Sequence, residues 1–318
     1  MARHALVAKM PGVGRKQTSL LEGQVPPWIR ANRRIYYAFL IPAALVLVVV
    51  TLFPFLYLFW TSLTPYELTK PQSLRFEGVV NFERLTHDGR FFNSLWVQGR
   101  LSLATVSLQL LIGLAIAMLL NVRWRFIELI RTIYVIPMVL PPVVVAIIWK
   151  VLFSPNISVV YWLLGLVGLP QRAWLSDPTL ALWAIIIADV WEWFPFTMLM
   201  LLAALQMLPE EPLEAARIDG ASGWQVFWHV ILPLIKPVIV VAGLFRLIDS
   251  VKAFPHIFIM TSGGPGIVTE ATNYYAYMQG FSYTFVGFAS AISLVMLVAV
   301  FLLSAGIMRM VGTQVEVE

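Results

Sequence analysis

The sequence predicts an all-α integral membrane protein with six transmembrane helices. Three observations carry that prediction. Of 318 residues 59% are hydrophobic and only 12% charged, with a mean hydropathy of +0.81, which leaves too little charge to coat a soluble domain of this size. Six apolar segments, 35–63, 95–120, 130–153, 180–208, 238–260 and 286–308, reach the ~20 residues that a helix rising roughly 1.5 Å per residue needs to cross a ~30 Å hydrocarbon core. Lys and Arg are also divided unevenly between the connections.

Residues 1–34 read as a basic cytoplasmic tail, with Arg3, Lys9, Arg15, Lys16, Arg30, Arg33 and Arg34 and few apolar residues. The first apolar run is too long for a signal-peptide core and lacks a small-residue cleavage site after it, so it is expected to be an uncleaved span. The second run opens with Gln98 and Arg100, which are expected at the interface, Arg100 snorkelling outward. Pro137, Pro141 and Pro142 are expected to kink or shorten the third. Between the third and fourth, Trp162, Leu163 and Leu164 suit an interfacial turn of helix. The transmembrane domain is expected over 35–310, with a short cytoplasmic tail at 311–318.

With the N-terminus inside, inner segments hold thirteen Lys and Arg and outer segments five, so both termini are expected in the cytoplasm. The charged loop 209–237 falls on the same side. The net charge of +5 is explained by this orientation and calls for no nucleic acid. The chain has no cysteine, which excludes disulfides and thiolate metal sites. His4, His87, His229 and His256 are scattered without metal-ligand spacing. Asn156-Ile157-Ser158 matches a glycosylation acceptor, to which no role is assigned.

The loop is the most specific part of the sequence. Pro209-Glu210-Glu211-Pro212 opens a helix, with prolines tolerated in the first turn and carboxylates at the positive end of the dipole. Ala215 and Ala216 permit close approach by another surface, and Gly220 ends the helix in the left-handed conformation. Ser222 is placed to cap a second helix with Trp224, Phe227, Trp228 and Ile231 as an apolar stripe. Pro233 and Pro237 are expected to break that helix before the fifth span.

Glu214-Ala215-Ala216, Gly220 four residues after Ala216, and Ile231-Leu232-Pro233 beginning eleven residues after Gly220 resemble the EAA motif of ABC importer permeases. The longer string from Glu214 to Phe227, then Ile231-Leu-Pro-Leu-Ile-Lys-Pro237, is similar to the carbohydrate-uptake branch. So are Phe245-Arg-Leu-Ile-Asp249, Met260-Thr-Ser-Gly-Gly-Pro265, Tyr274–Gly280 and Gly287–Ser293. The resemblance spans Ile35 to Met308. The basic tail departs from it, and the chain has no large outer domain of the kind some maltose-type permeases carry.

The resemblance implies a type I ABC importer architecture: this permease, a second homologous permease, two ATPase subunits and an extracytoplasmic solute-binding protein in a bacterial inner membrane. It implies that Glu214, Ala215, Ala216, Asp219, Gly220, Leu232 and Pro233 dock an ATPase and transmit its closure. The chain has no G-x-x-x-x-G-K-[ST] phosphate loop. ATP and Mg therefore belong to the partner, and no catalytic residue or cofactor is expected in this chain.

Ionisable residues at membrane depth are costly and face a cavity or each other. Asp189, Glu192, Trp193 and Phe196 share one helix face at i, i+3, i+4 and i+7, as do Arg246, Asp249, Ser250 and Ala253. Asp249 also reaches Lys252 at i+3. The functional reading is a sugar pathway, since hydroxyls need carboxylates and rings cover apolar sugar faces. The structural reading is an internal ion-pair network, Arg246 with Asp249 or Glu192. Glycerol phosphate, a polyol or a sugar acid remain alternative solutes. An ion-coupled transporter using Asp189, Glu192 and Asp249, or a non-transporting scaffold, would leave the Glu214 loop without a role.

Overall fold

The computed structural model describes residues 27–122, 124–155, 157–166 and 172–315, and the long elements among them are all helical. In chain order these are α1 (Pro27–Ser62), α2 (Val80–Thr86), α3 (Gly89–Leu120), α4 (Ile127–Val139), α5 (Pro142–Leu152) and α6 (Val159–Leu166), followed by α7 (Ala181–Gln206), α8 (Glu210–Ile218), α9 (Gly223–Ser250), α10 (Phe254–His256), α11 (Thr272–Tyr277) and α12 (Val286–Val315). Among the described residues five helices, in α1, α3, α7, α9 and α12, are long and apolar enough to cross a membrane, or six where the bent pair α4–α5 counts as one broken span. The all-α membrane prediction is therefore met.

The chain forms two units, Met1–Tyr57 and Leu58–Glu318. The first contains most of α1, which begins at Pro27 rather than Ile35. The rest of the expected basic tail, and Asn156 of the glycosylation match, lie outside the described residues. At the other end α12 continues to Val315, into the expected C-terminal tail.

In the second unit α7 is central. Of its apolar window 67% is buried, against 33% or less for the other long helices. α3 packs along much of its length, while α4 and α9 pack elsewhere on it. One apolar cluster, including Leu101, Ile185 and Ile257, lies at one end of α7; another, including Ala117, Leu201 and Ile235, lies at the other. Asp189 falls within the first cluster's stretch of the helix, between Ala188 and Val190, and Glu192 lies between the two clusters. A helix carrying two acids is stable here because protein, not lipid, surrounds it.

Three expectations need correction. First, α3 starts at Gly89, where the Asp88 side chain accepts hydrogen bonds from the backbone N–H groups of Arg90 and Phe91. Gln98 is consequently inside the bundle, donating to Ser102 Oγ at 3.0 Å and the Ser250 carbonyl at 3.3 Å. Arg100 is exposed, with its guanidinium 5.6 Å from the Trp96 ring.

Second, Pro233 and Pro237 do not break the helix. A π-helical turn over Phe227–Ile231 leads directly into Leu232–Ser250. The wider turn relieves the steric conflict between a proline ring and the preceding carbonyls, and the helix passes through. Third, the fifth span is not 238–260. α9 ends at Ser250, and Phe254–Thr261 is a separate helical piece. Pro255 has no N–H to continue the ladder from the Val251 carbonyl, which instead accepts from Asn273 Nδ2 at 2.7 Å.

The expected third-span kink is present and large. α4 and α5 meet at 94°. Leu140 precedes Pro141 and Pro141 precedes Pro142; both adopt extended ψ values, 141° and 136°, as residues before proline must. The turn of helix expected around Trp162 is α6.

Candidate functional site

The first candidate region is α8 and the turn that follows. Glu210 and Glu211 occupy its first turn and Arg217 its last, matching the helix dipole at both ends. Gly220 has φ +78°. Its N–H donates to the Arg217 carbonyl at 3.1 Å, and that of Ala221 to the Ala216 carbonyl at 3.0 Å. Together these form a Schellman closure, which a residue with a Cβ would strain. Ser222 then caps α9 in a reciprocal box with Gln225.

This fixed unit is open to its surroundings: Glu214, Ala215, Asp219 and Gly220 are exposed, and Ile218 is 86% exposed. Trp224 is exposed as well, its ring 5.9 Å from Phe227 and 5.5 Å from Trp228. Leu232 and Pro233 sit where the π-helical turn passes into the remainder of α9. A cavity of about 780 Å³ beside the start of α8 is lined by Trp124, Arg125, Arg131 and Glu210 among others.

The second region is a buried polar cluster joining α3, α7, α9 and α10. Gln109 Nε2 donates to Asp189 Oδ2 at 2.8 Å, and Arg246 Nε donates to Gln109 Oε1 at 2.8 Å. The Arg246 guanidinium also meets Asp249 Oδ2 at 3.3 Å and Asp189 Oδ2 at 3.9 Å. Its plane centre lies 4.6 Å from the Trp193 ring, a cation–π contact. Asp249 in turn receives Lys252 Nζ at 2.9 Å. Ser250 Oγ donates to Ser102 Oγ at 2.7 Å. His256 Nε2 stands 3.0 Å from Glu192 Oε2, with both side chains buried and no aligned hydrogen bond between them.

A comparison with known proteins bears on both regions. Residues 109–315 match the family of binding-protein-dependent transport system inner membrane components. A probable ABC transporter permease protein, y4oQ of Sinorhizobium fredii, is 38% identical, covering 87% of this chain and 91% of its own. The trehalose/maltose transport system permease protein MalF of Thermococcus litoralis is 35% identical, covering 84% and 90%. The chain belongs to this permease family. It is thus a multi-pass inner-membrane component of a binding-protein-dependent ABC transporter, not an enzyme, with ATP hydrolysis in a separate subunit and no cofactor of its own. A bacterial ABC transporter involved in import of the acidic polysaccharide alginate shares the fold, with a TM-score of 0.77 at 21% identity, over 90% of this chain and 97% of that one.

Within the permease, the structure brings together Asp189, Arg246 and Asp249, with Trp193 against the guanidinium. Glu192 joins the same buried region but pairs with His256 rather than Arg246. Phe196 faces Phe245, with ring centroids 6.3 Å apart, and Ala253 is buried in the apolar cluster beside α7. Sequence reasoning missed Gln109 and His256. Both lie far along the chain from their partners, and a lone Gln or His gives no periodic signal. Among the described residues no group of three His, Cys, Asp or Glu side chains could hold a metal ion.

Proposed function

We propose that this permease moves a sugar or oligosaccharide, received from an extracytoplasmic binding protein, along the α7–α9 polar cluster, and that α8 couples the movement to ATP. In this reading two ATPase subunits and a second homologous permease complete the assembly, and both termini are cytoplasmic. The observation that carries the coupling role is the exposed, Schellman-closed α8 turn bearing Glu214-Ala215-Ala216 and Gly220. A soluble partner can grip such a handle without any change in the spans.

Three relatives support the saccharide: the trehalose/maltose MalF, the trehalose permease SugA of Mycobacterium tuberculosis at 34% identity over 83% of this chain, and the sulfoquinovosyl glycerol permease SmoG of Agrobacterium fabrum at 32% over 92%. The site chemistry agrees. Asp249 and Trp193, both partly exposed, supply a carboxylate and an aromatic face, groups that sugars engage, while the buried Ser250 hydroxyl is donated to Ser102 and braces the cluster.

The test is uptake into proteoliposomes containing the whole transporter, its binding protein and internal ATP. Gly220→Pro or Glu214→Lys should abolish uptake while membrane insertion and capture of the loaded binding protein persist. Undiminished uptake in both variants would remove the coupling role. Uptake driven by an ion gradient without ATP would favour the ion-coupled alternative through Asp189, Glu192 and Asp249.

A further inference from the structure

The cavity beside α8 continues into a second one that neither the coupling role nor the solute pathway uses. The first, a chamber of about 780 Å³, lies where the α3–α4 connection meets the start of α8. The second, of about 400 Å³, runs between α4 and α7, with Thr132, Val135, Leu199, Leu202 and Ala203 among its walls. Glu128, Arg131 and Gln206 line both. A polar chamber therefore opens onto a largely apolar groove beside the spanning helix α7.

The chamber carries both signs of charge. Arg131 is anchored through Nη2, which donates to the Leu120 carbonyl at 2.9 Å, and its Nη1 meets Glu128 Oε1 at 2.6 Å. The Glu128 side chain is 79% exposed, so this pair has the small worth of a surface ion pair and is readily exchanged. Arg125 and Glu210 are exposed, and neither has an ion pair with a described residue. Trp124 and Phe126, also exposed, stand with ring centroids 5.5 Å apart, an aromatic pair of the kind that marks a membrane–water interface.

We propose that this composite cavity binds one ethanolamine phospholipid, with the phosphate at Arg125 and Arg131, the ammonium at Glu210 and an acyl chain in the α4–α7 groove. Basic pockets between spanning helices are receptors for lipid head groups. Here an uncommitted cation and an uncommitted carboxylate share one chamber, which matches a head group carrying both charges. A purely anionic head would face Glu210 without a cation to offer it. A choline head has no N–H to give that carboxylate, whereas a primary ammonium has three. The groove supplies the other half of the match. A soluble phosphate ester has no tail to fill it, and a soluble protein docking on α8 stops at the chamber. Glu210 and Leu213 of α8 form part of the chamber wall, so a bound head group would brace the segment proposed to couple ATP. The binding itself does not depend on that role.

The experiment uses the whole transporter in nanodiscs of phosphatidylcholine, doped with a tracer lipid that carries a diazirine on one acyl chain. The tracer is phosphatidylethanolamine, phosphatidylglycerol or phosphatidylcholine at equal mole fraction, and the labelled peptides of this permease are identified after illumination. The ethanolamine tracer should label the groove around Val135, Leu199 and Ala203 about fivefold more than either other lipid, roughly the weight of one charge placed at a membrane surface. Arg125→Gln and Glu210→Gln, both at exposed positions, should each remove most of that preference. Ala203→Trp, also at an exposed position, fills the groove and should lower labelling there by all three tracers. Excess phosphoethanolamine, the head group without tails, should leave the labelling unchanged. Equal labelling by the three lipids, a preference for phosphatidylglycerol, or a preference that neither charge variant lowers would overturn the inference. So would displacement by phosphoethanolamine, which would make this a site for a soluble ligand. Labelling of the groove in the isolated permease but not in the whole transporter would show that a partner subunit covers it, and would overturn the inference as well.

Discussion

Arg246 sets the strongest residue-scale prediction. Removing one member of a buried ion network leaves the others desolvated and uncompensated, which costs about 3–5 kcal/mol. Arg246→Ala should therefore lower the permease's stability by that order in thermal or denaturant unfolding in detergent. Replacing both ends with apolar residues avoids the orphaned charge, so Arg246→Met with Asp189→Leu should be more stable than either single variant. Additive losses would show that the two side chains do not act as a pair. The sequence exposed half of this network. Arg246–Asp249 and Asp249–Lys252 are one helical turn apart, and spacing alone predicts them. Gln109 and His256 were not legible, because their partners come from other helices and only tertiary packing selects them. The structural reading paired Arg246 with Asp249 or Glu192; the first pair is present, and α10 places His256 against Glu192 instead.

At the scale of elements, helix existence was legible and helix ends were not. Apolar length reveals a span, but an apolar run continuing past Ser250 hides the turn at Val251–Ala253, and two prolines suggested a break that a π-helical turn absorbs. In the proposed coupling role that turn would matter, because it sets the rotation of Gly223–Ile231 relative to the rest of α9. One residue more or less in a helix rotates everything beyond it by about 100°. Pro233→Ala removes the steric reason for the wide turn, so the segment is expected to relax toward α-helix. Insertion should persist while uptake per ATP hydrolysed falls, measured on one proteoliposome preparation; an unchanged ratio would show that the turn's rotation is not read by the ATPase. The α3–α7 interface makes a separate prediction. A Cβ on Gly113 would stand 2.2 Å from Thr197 Oγ1 and 2.9 Å from the Met198 nitrogen, a backbone contact that cannot give way. Gly113→Val should cost about 1–3 kcal/mol through overpacking and weaken the nearby Gln109–Asp189 contact. Gly99→Ala has open space within 4 Å and should be neutral or stabilising in the same unfolding assay.

For the whole molecule, the topology depends on whether the bent α4–α5 pair crosses the membrane. Residues 1–34 and Asn121–Arg131 are separated by two spans, in α1 and α3, so they share a side whatever the pair does. They carry seven and three basic residues respectively, so the positive-inside rule makes the cytoplasm the expected side for both. The side of α8 is then decided by parity. If α4 and α5 together cross once, four crossings separate the N-terminus from α8 and both are cytoplasmic. If the 94° bend returns the pair to the side it came from, three crossings remain and α8 lies opposite the N-terminus. A motif that grips a cytoplasmic ATPase requires the first case. Because the chain is free of cysteine, single substitutions can report on this directly with a membrane-impermeant thiol reagent on intact and inverted vesicles. Ser19→Cys and Ile218→Cys should both label only from the cytoplasmic face, and Ile267→Cys, one span beyond α8, only from outside. Labelling of Ser19→Cys and Ile218→Cys from opposite faces would make the pair re-entrant, and α8 and the basic tail could then not both be cytoplasmic.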